Sequence, residues 1–430
     1  MIEILRWKSA PKERKEQIMR RSALGITDVL PKIVPWIERI KTEGDTALIE
    51  YIREFDDPTF SQDQLRVSSE EIKAAYKQIA PETLEAMRRQ VLLSRTFQEK
   101  QRDPTEMRLQ EVVSGVLAGK RITAIDSAGL YVPAGSAPLP IVMQILGTSA
   151  KVAGVRRIVA CFPPQGRLPE MLVAADLAGV DELYAVGGVA AIAAMAYGTD
   201  TIKPVTHIAG PGRIYVQAAK SLVRDDVAID MIAGPSEVLI VADKAANPTY
   251  VAADLLAQAE HDPNAASVLV TWDEQLAEST KQEVNRLFRQ LSRMDILSDS
   301  LKRYSAIVIV ESQEDAIEFS NEYSPEHLEL MVEDPMALMP RFRNAGAIFL
   351  GAYAPVPVGD YATGSNHTLP TGIGSRAYSP ISVRTFQKET EVQYLTKDGL
   401  SDLREIVERI SDVEGLDAHK LAVQLRFSSP

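Results

Sequence analysis

Residues 157–186 contain three successive stretches: Arg157-Ile-Val-Ala-Cys-Phe162, Pro169-Glu-Met-Leu-Val-Ala-Ala-Asp-Leu-Ala178 and Glu182-Leu-Tyr-Ala-Val186. The first and third are short apolar runs rich in β-branched residues, and the middle one is patterned as a helix. Short apolar runs joined by helices are the signature of parallel strands with helical crossovers. Further candidate strands lie at Gly129–Pro133, Val238–Ala242, Ala266–Thr271, Ala306–Val310 and Ala347–Leu350. Helical patterns at Thr249–His261, Asp273–Arg293 and Glu314–Tyr323 alternate with them. The expected class is α/β, with two incomplete Rossmann-like parallel-sheet domains split near residue 236.

Outside this core the texture is helical. Residues 1–25, rich in Lys and Arg, predict a small N-terminal helical extension. Ile33, Ile37, Ile40, Leu48 and Ile52 recur at helical spacing, and Ser68-x-x-Glu71 reads as a capping box. Pro81 predicts a break. Residues 26–128 with 237–380 are expected to form the first α/β domain, and 129–236 the second. Residues 381–430 are expected to form a charged helical tail, ending in a short amphipathic helix at Asp417–Arg426.

Composition narrows the function classes. A chain of 430 residues suits two or three domains of roughly 100–200 residues each. It is 45% hydrophobic and 25% charged, an ordinary globular balance. A net charge of -12 argues against nucleic acid and against anionic membrane surfaces as partners. The single cysteine, Cys161, sits in an apolar run and reads as a buried small hydrophobe; it excludes a disulfide within the chain. Met1–Lys8 lacks a signal-peptide core, and no apolar run reaches the roughly 20 residues of a membrane span. A cytoplasmic enzyme is expected.

Five histidines stand among residues that could give them chemistry. Gln258 and His261 are three apart and share a helix face. An amide oxygen with an imidazole suits a first-row dication, although a helix dipole also favours a C-terminal histidine. Glu326 and His327 follow Pro325; such a pair can divide acid and base work, or can simply sit solvated in a turn. Pro357-Val-Gly-Asp360-Tyr and Gly364-Ser-Asn-His367-Thr-Leu-Pro-Thr371 read as a shaped loop. There Asp360 is a hard oxygen ligand or a turn-former, and His367 a recognition group. Glu414 and His419 lie close together near the C-terminus. No strand–GxGxxG–helix is present; Gly187-Gly188, Gly210-Pro-Gly212 and Gly372-x-Gly374 are weak cofactor signals. Ala233-Gly-Pro-Ser236-Glu237 is a better place for close backbone approach.

In order and spacing these segments resemble the histidinol dehydrogenase family along nearly the whole chain. The matches are Gly129-Leu-Tyr131-Val-Pro133, Ala233-Gly-Pro-Ser236-Glu237-Val, Gln258-Ala-Glu-His261, Pro325-Glu326-His327-Leu, Gly359-Asp360-Tyr, Asn366-His367-x-Leu-Pro-Thr371 and Ala418-His419-Lys. The resemblance implies one Zn²⁺ per subunit, held by Gln258, His261, Asp360 and His419. It implies an intertwined homodimer in which His419 enters the partner's site. It assigns Glu326 and His327 as the acid–base pair. Substrate contacts would be Ser236, Gln258, His261, His327, Asp360, His367, Glu414 and His419. Two NAD⁺ would be reduced as an amino alcohol becomes an aldehyde and then an acid. Tyr131 matches a cofactor contact, and Ala190 and Arg213 stand where the family places the Gln and Asn that contact cofactor.

Departures cluster on that cofactor side. Gly210-Pro-Gly212-Arg213 replaces Gly-Pro-Gly-Asn, and Gly187-Gly-Val-Ala190-Ala191 replaces Gly-Gly-Ala-Gln-Ala. Pro133-Ala134-Gly135 replaces Pro-Gly-Gly, and Leu139-Pro-Ile-Val142 replaces a serine-bearing stretch. They leave open NADP⁺ instead of NAD⁺, a related zinc-dependent dehydrogenase for another small polyol or amino alcohol such as a sulfonated propanediol, and a non-catalytic metal-binding relative.

Overall fold

The computed structural model describes residues 2–21, 25–134 and 138–428. In chain order it runs β1 (Ile4–Arg6), α1 (Lys12–Arg20), α2 (Ile26–Glu43), α3 (Asp45–Phe55), α4 (Ser69–Ala75) and α5 (Pro81–Gln101). Then come β2 (Met107–Val113), β3 (Val116–Ala124), β4 (Ser127–Tyr131), α6 (Pro140–Ala153), β5 (Arg157–Phe162), α7 (Pro169–Ala178) and β6 (Glu182–Ala185). Next are α8 (Gly188–Tyr197), β7 (His207–Ala209), α9 (Ile214–Val223), β8 (Ala228–Ile229), β9 (Glu237–Ala242), α10 (Pro248–Ala259) and β10 (Ala266–Thr271). The chain continues through α11 (Glu274–Phe288), α12 (Met294–Arg303), β11 (Ala306–Ile309), α13 (Gln313–Tyr323), β12 (His327–Met331), α14 (Pro335–Leu338), β13 (Ala347–Leu350) and α15 (Val356–Tyr361). It closes with β14 (Gln387–Leu395), α16 (Lys397–Glu414) and α17 (Asp417–Gln424).

Two compact units result. The first comprises Met1–Arg102 with Ile125–Phe386 and holds two sheets. One has the order β1-β11-β10-β9-β12-β13 and is parallel throughout. The other, β6-β5-β4-β7-β8, is also parallel throughout. Parallel sheets are covered on both faces, so their strands are apolar without alternation. Val238–Ala242 shows this: every one of its residues is fully buried. Cys161 on β5 is a fully buried hydrophobe, as expected. On β12 the two faces separate cleanly. Leu328 and Leu330 pack on one side of the sheet, and Met331 joins the α10 side with Val251, Leu255 and Val356. The second unit, Asp103–Ala124 with Gln387–Pro430, is an antiparallel sheet β14-β3-β2 with α16 and α17.

The fold departs from the sequence reading at five places, the first being residues 103–124, grouped by sequence with the first α/β domain, which instead pair with β14 in the second unit. The N-terminal extension is not purely helical: Ile4–Arg6 adds an edge strand, Ile4 opposite Ile307, because three residues are too few to show a period. Residues 26–101, grouped by sequence with 237–380, bury Ile33, Ile37, Leu48, Ile52 and Met87 in the core of the five-stranded sheet. Their apolar stripe meets α8 and α9, and chain order does not reveal which sheet a helix covers. Residues 387–395, read as part of a helical tail, form a strand whose residues are mostly exposed. Backbone pairing to β3 supports it, not burial, so it carries no hydrophobic signal. Val356–Tyr361, read as loop, is a short helix.

The predicted capping box is present. Ser68 Oγ accepts from the Glu71 N–H, and the Ser68 N–H donates to Glu71 Oε2 at 2.9 Å. Ser68→Ala should cost about 1 kcal/mol, the usual worth of an N-cap side chain. Thermal unfolding would show it as a small drop in midpoint with activity unchanged.

Candidate active site

The candidate residues Ser236, Gln258, His261, Glu326, His327 and Asp360 gather at the amino ends of the six-stranded sheet. This inverts the usual preference of open α/β sheets for their carboxyl ends. Glu237 opens β9 and His327 opens β12, with His327 opposite Val238. That register brings Glu326 beside Glu237. The Glu237 N–H donates to Glu326 Oε2 at 2.8 Å, and the Glu326 N–H donates to Glu237 Oε1 at 3.0 Å. Each glutamate therefore fixes the other's backbone.

His327 is buried, and its Nδ1 lies 2.9 Å from the Glu237 carbonyl oxygen. A carbonyl only accepts, so Nδ1 carries the proton and Nε2 is the free lone pair. Nε2 has no hydrogen-bond partner and lies 4.0 Å from Asp360 Oδ1. Burial lowers the His327 pKa to about 4, so the ring is neutral at pH 7. Glu326 Oε2 is 3.5 Å from Nδ1, and burial lifts this carboxyl well above the carboxylate range. The solvated-turn alternative for this pair is thus excluded.

Crossover direction supplies the other groups. Helix α10 carries the chain from the carboxyl end of β9 back to the amino end of β10, so its last turn returns to this edge. Gln258 lies in that turn, buried, with neither Oε1 nor Nε2 hydrogen-bonded. His261 follows the helix and is exposed as a residue, yet burial by the protein around its ring lowers its pKa. It acts electrostatically on both His327 and His367. Helix α15 likewise returns from β13 and brings Asp360, whose pKa burial raises to about 7. His367 is lowered to about 4 by burial, and its Nδ1 lacks a partner. His327, Asp360, Asn366 and His367 line one cleft of about 570 Å³, together with His207 and Asp230.

Several buried donors here have lone pairs and no proton to meet them, a condition a dication relieves. Gln258, His261 and Asp360 fit such an ion in donor type. Among the described residues, however, no cluster of three or more His, Cys, Asp or Glu side chains is close enough to hold a metal. Gln258 is not of those types, and His419 belongs to the second unit. There His419 on α17 and Glu414 at the end of α16 are both exposed. Ser236 is half-buried just ahead of β9, its carbonyl accepting from the Ala266 N–H at 3.2 Å.

The cofactor-side residues fare differently. Tyr131 is buried, and its hydroxyl accepts from the Gly188 N–H at 3.3 Å, beside the Tyr51 hydroxyl on the Val189 N–H. Ala190, matched to a cofactor position, is fully buried inside α8, its methyl part of the core. Arg213 begins α9, with its guanidinium 3.4 Å from Asp262. Gly135, part of the altered Pro133–Gly135 stretch, lies outside the described residues.

Sequence reasoning passed over the supports. Arg21 pairs with Glu237 Oε2 at 2.8 Å and stacks 3.6 Å over Tyr323. Nothing in a basic N-terminal segment signals that role. Ser324 holds a left-handed backbone, φ 53°, immediately before Pro325. Arg376 donates to its hydroxyl at 2.7 Å and Ser375 to its carbonyl at 2.8 Å, so the turn into Glu326 is over-determined. Gly346 lies against the same turn: a Cβ there would stand 2.6 Å from the Glu326 carbonyl oxygen and 3.1 Å from that of Pro370. Gly346→Ala should therefore cost about 1–3 kcal/mol, as overpacking does, and displace Glu326. Melting temperature and turnover should fall together.

Residues 19–427 match the family profile described as histidinol dehydrogenase. A histidinol dehydrogenase from Methanothermobacter thermautotrophicus is 45% identical over 417 residues, 96% of this chain and 97% of the relative. One from Synechococcus sp. is 47% identical over 396 residues, 91% of each. The crystal structure of histidinol dehydrogenase from Elizabethkingia anophelis superposes with TM-score 0.93 at 38% identity, covering 99% of this chain and 98% of that one.

Proposed function

The chain belongs to the histidinol dehydrogenase family, and we propose that it oxidises L-histidinol to L-histidine through the aldehyde, in histidine biosynthesis, with NAD⁺ and Zn²⁺. The observation that carries this reading is His327, neutral, pinned at Nδ1 by a carbonyl and free at Nε2 toward the cleft, next to Glu326.

His327 Nε2 takes the hydroxyl proton of the alcohol as its hydride departs. NAD⁺ would supply the hydride acceptor in both oxidations, one equivalent for the alcohol and one for the hydrated aldehyde. Glu326 draws a proton from water, which adds to the aldehyde carbon. A carboxyl that burial holds above its usual range is the stronger base once ionised. Gln258, His261 and Asp360, with His419 of a second subunit, would hold zinc, which supplies charge to fix the substrate's amine and imidazole. Ser236, His367 and Glu414 would complete the substrate contacts. Along α16 and α17, Ile406, Ile410, Val413, Leu416, Leu421 and Leu425 are exposed, an apolar surface that suits the homodimer this assignment needs. No helix among the described residues is long and apolar enough to cross a membrane, in keeping with a cytoplasmic enzyme.

A second reading, a zinc-dependent dehydrogenase for another small polyol or amino alcohol, draws on Ala190 and Arg213. Neither is an amide: the first is a buried methyl and the second a guanidinium beside Asp262, which supports a different cofactor-side chemistry.

NADH formation separates the readings. With L-histidinol it should reach two per substrate, stop on chelation and return with Zn²⁺. Chelator-sensitive turnover of other alcohols without histidinol turnover would favour the second reading. No turnover of any alcohol by the zinc-loaded protein would overturn both.

A further inference from the structure

Behind the cleft lies a pair of acids with no part in the chemistry above. Glu329 is on β12, two residues after His327 and on the same face. It is fully buried, on the α10 side of the sheet, away from Leu328 and Leu330. Its Oε1 accepts the Val356 N–H at 2.9 Å. Val356 opens α15 one turn before Asp360. Asp254 on α10 is within hydrogen-bonding reach of Glu329, and it lies one turn before Gln258. One buried carboxyl thus touches both helices, each a single turn from a predicted ligand.

Two carboxylates cannot share such a place without a proton between them. Glu329 Oε2 meets no N–H or other ready-made donor. Burial and the neighbouring Asp254 hold the Glu329 carboxyl well above its ordinary range, and burial raises Asp254 as well. An arrangement that satisfies both Glu329 oxygens has Oε1 accepting from Val356 and a protonated Oε2 donating to Asp254.

We propose that the Glu329–Asp254 pair is a positioning bracket that sets the spacing of Gln258 on α10 and Asp360 on α15. The inference rests on the zinc-dependent reading above. Outer partners of this kind orient ligands, and their loss commonly costs 10–100-fold in metal affinity.

The protonated-acid arrangement makes glutamine a true mimic: its carbonyl accepts from Val356 and its amide donates to Asp254. The test measures Zn²⁺ affinity of the full chain by competition with a chromogenic chelator, beside melting temperature without metal and kcat and KM for histidinol. E329Q should keep its zinc affinity within about threefold of the unaltered protein. E329L should lose about 10–100-fold, with kcat falling more than KM rises. Should E329L fail to fold, D254A leaves the Val356 bond intact and carries the same expected loss. Unchanged affinity in folded E329L or D254A would overturn the bracket, as would E329Q falling as far as E329L. If the unaltered protein bound no zinc, the functional reading itself would fail, and this inference with it.

Discussion

Replacing His327 by alanine is expected to lower kcat for histidinol oxidation by roughly 10²–10⁴-fold, the usual worth of a positioned general base. The ring is already in its working form. Its Nδ1 proton is committed to the Glu237 carbonyl, and its pKa of about 4 leaves Nε2 unprotonated at neutral pH. No reorganisation precedes proton transfer, so the loss should appear in kcat while KM moves little. His327→Asn separates geometry from basicity. Its side chain can still donate to the Glu237 carbonyl but cannot accept a proton at the reacting end, so it should be nearly as slow as alanine. Zinc affinity should persist in both variants, since His327 is not among the predicted ligands. Steady-state NADH formation at saturating NAD⁺ reads the effect. A fall below tenfold in kcat would remove His327 from the role of base.

The legibility of this site followed its physics. Strands inside parallel sheets announce themselves because both faces are buried; Arg157–Phe162, Ala266–Thr271 and Ala347–Leu350 end where the sequence placed them. The strand Gln387–Leu395 did not, because solvent on its surface leaves only backbone pairing to hold it. Candidate residues were visible as motifs, and strand register with the returning helices explains how Glu326, His327 and Asp360 come to one edge, where His367 lines the same cleft as His327 and Asp360. What supports them was not visible. Glu329 reads as one acid in an apolar run, and its partners come from helices about 75 residues before it and 27 after it. Such contacts are properties of tertiary register, and no local pattern encodes them. The departures at Ala190 and Arg213 show the reverse case. Sequence set both positions apart by resemblance alone, and packing adds that the alanine methyl belongs to the core.

Arg21 gives the second large effect. Its guanidinium and the Glu237 carboxylate, 2.8 Å apart, are both nearly inaccessible, with side-chain exposures of 8% and 3%. Removing one member of such a pair strands the other and costs about 3–5 kcal/mol. Arg21→Met keeps an unbranched apolar side chain and deletes both the charge and the guanidinium stacked on Tyr323. The pH dependence has a definite sign. Burial raises the Glu237 pKa, and Arg21 is the main force opposing that rise. Without Arg21 the folded-state pKa climbs further. A carboxyl whose folded pKa exceeds its unfolded value contributes stability at low pH, and that contribution is lost as pH rises through the folded pKa. The gap in melting temperature between R21M and the unaltered protein should therefore be small near pH 5 and wide at pH 8. The double variant R21M/E237Q should recover part of the loss at pH 8, because an amide needs no counter-charge. It should not recover turnover fully, because Glu237 Oε1 also accepts from the Glu326 and Gly372 N–H groups, and an amide in the wrong orientation meets them with a donor. A gap that is constant with pH, or larger at pH 5, would show that Arg21 stabilises through packing alone, not through the charge it brings to Glu237.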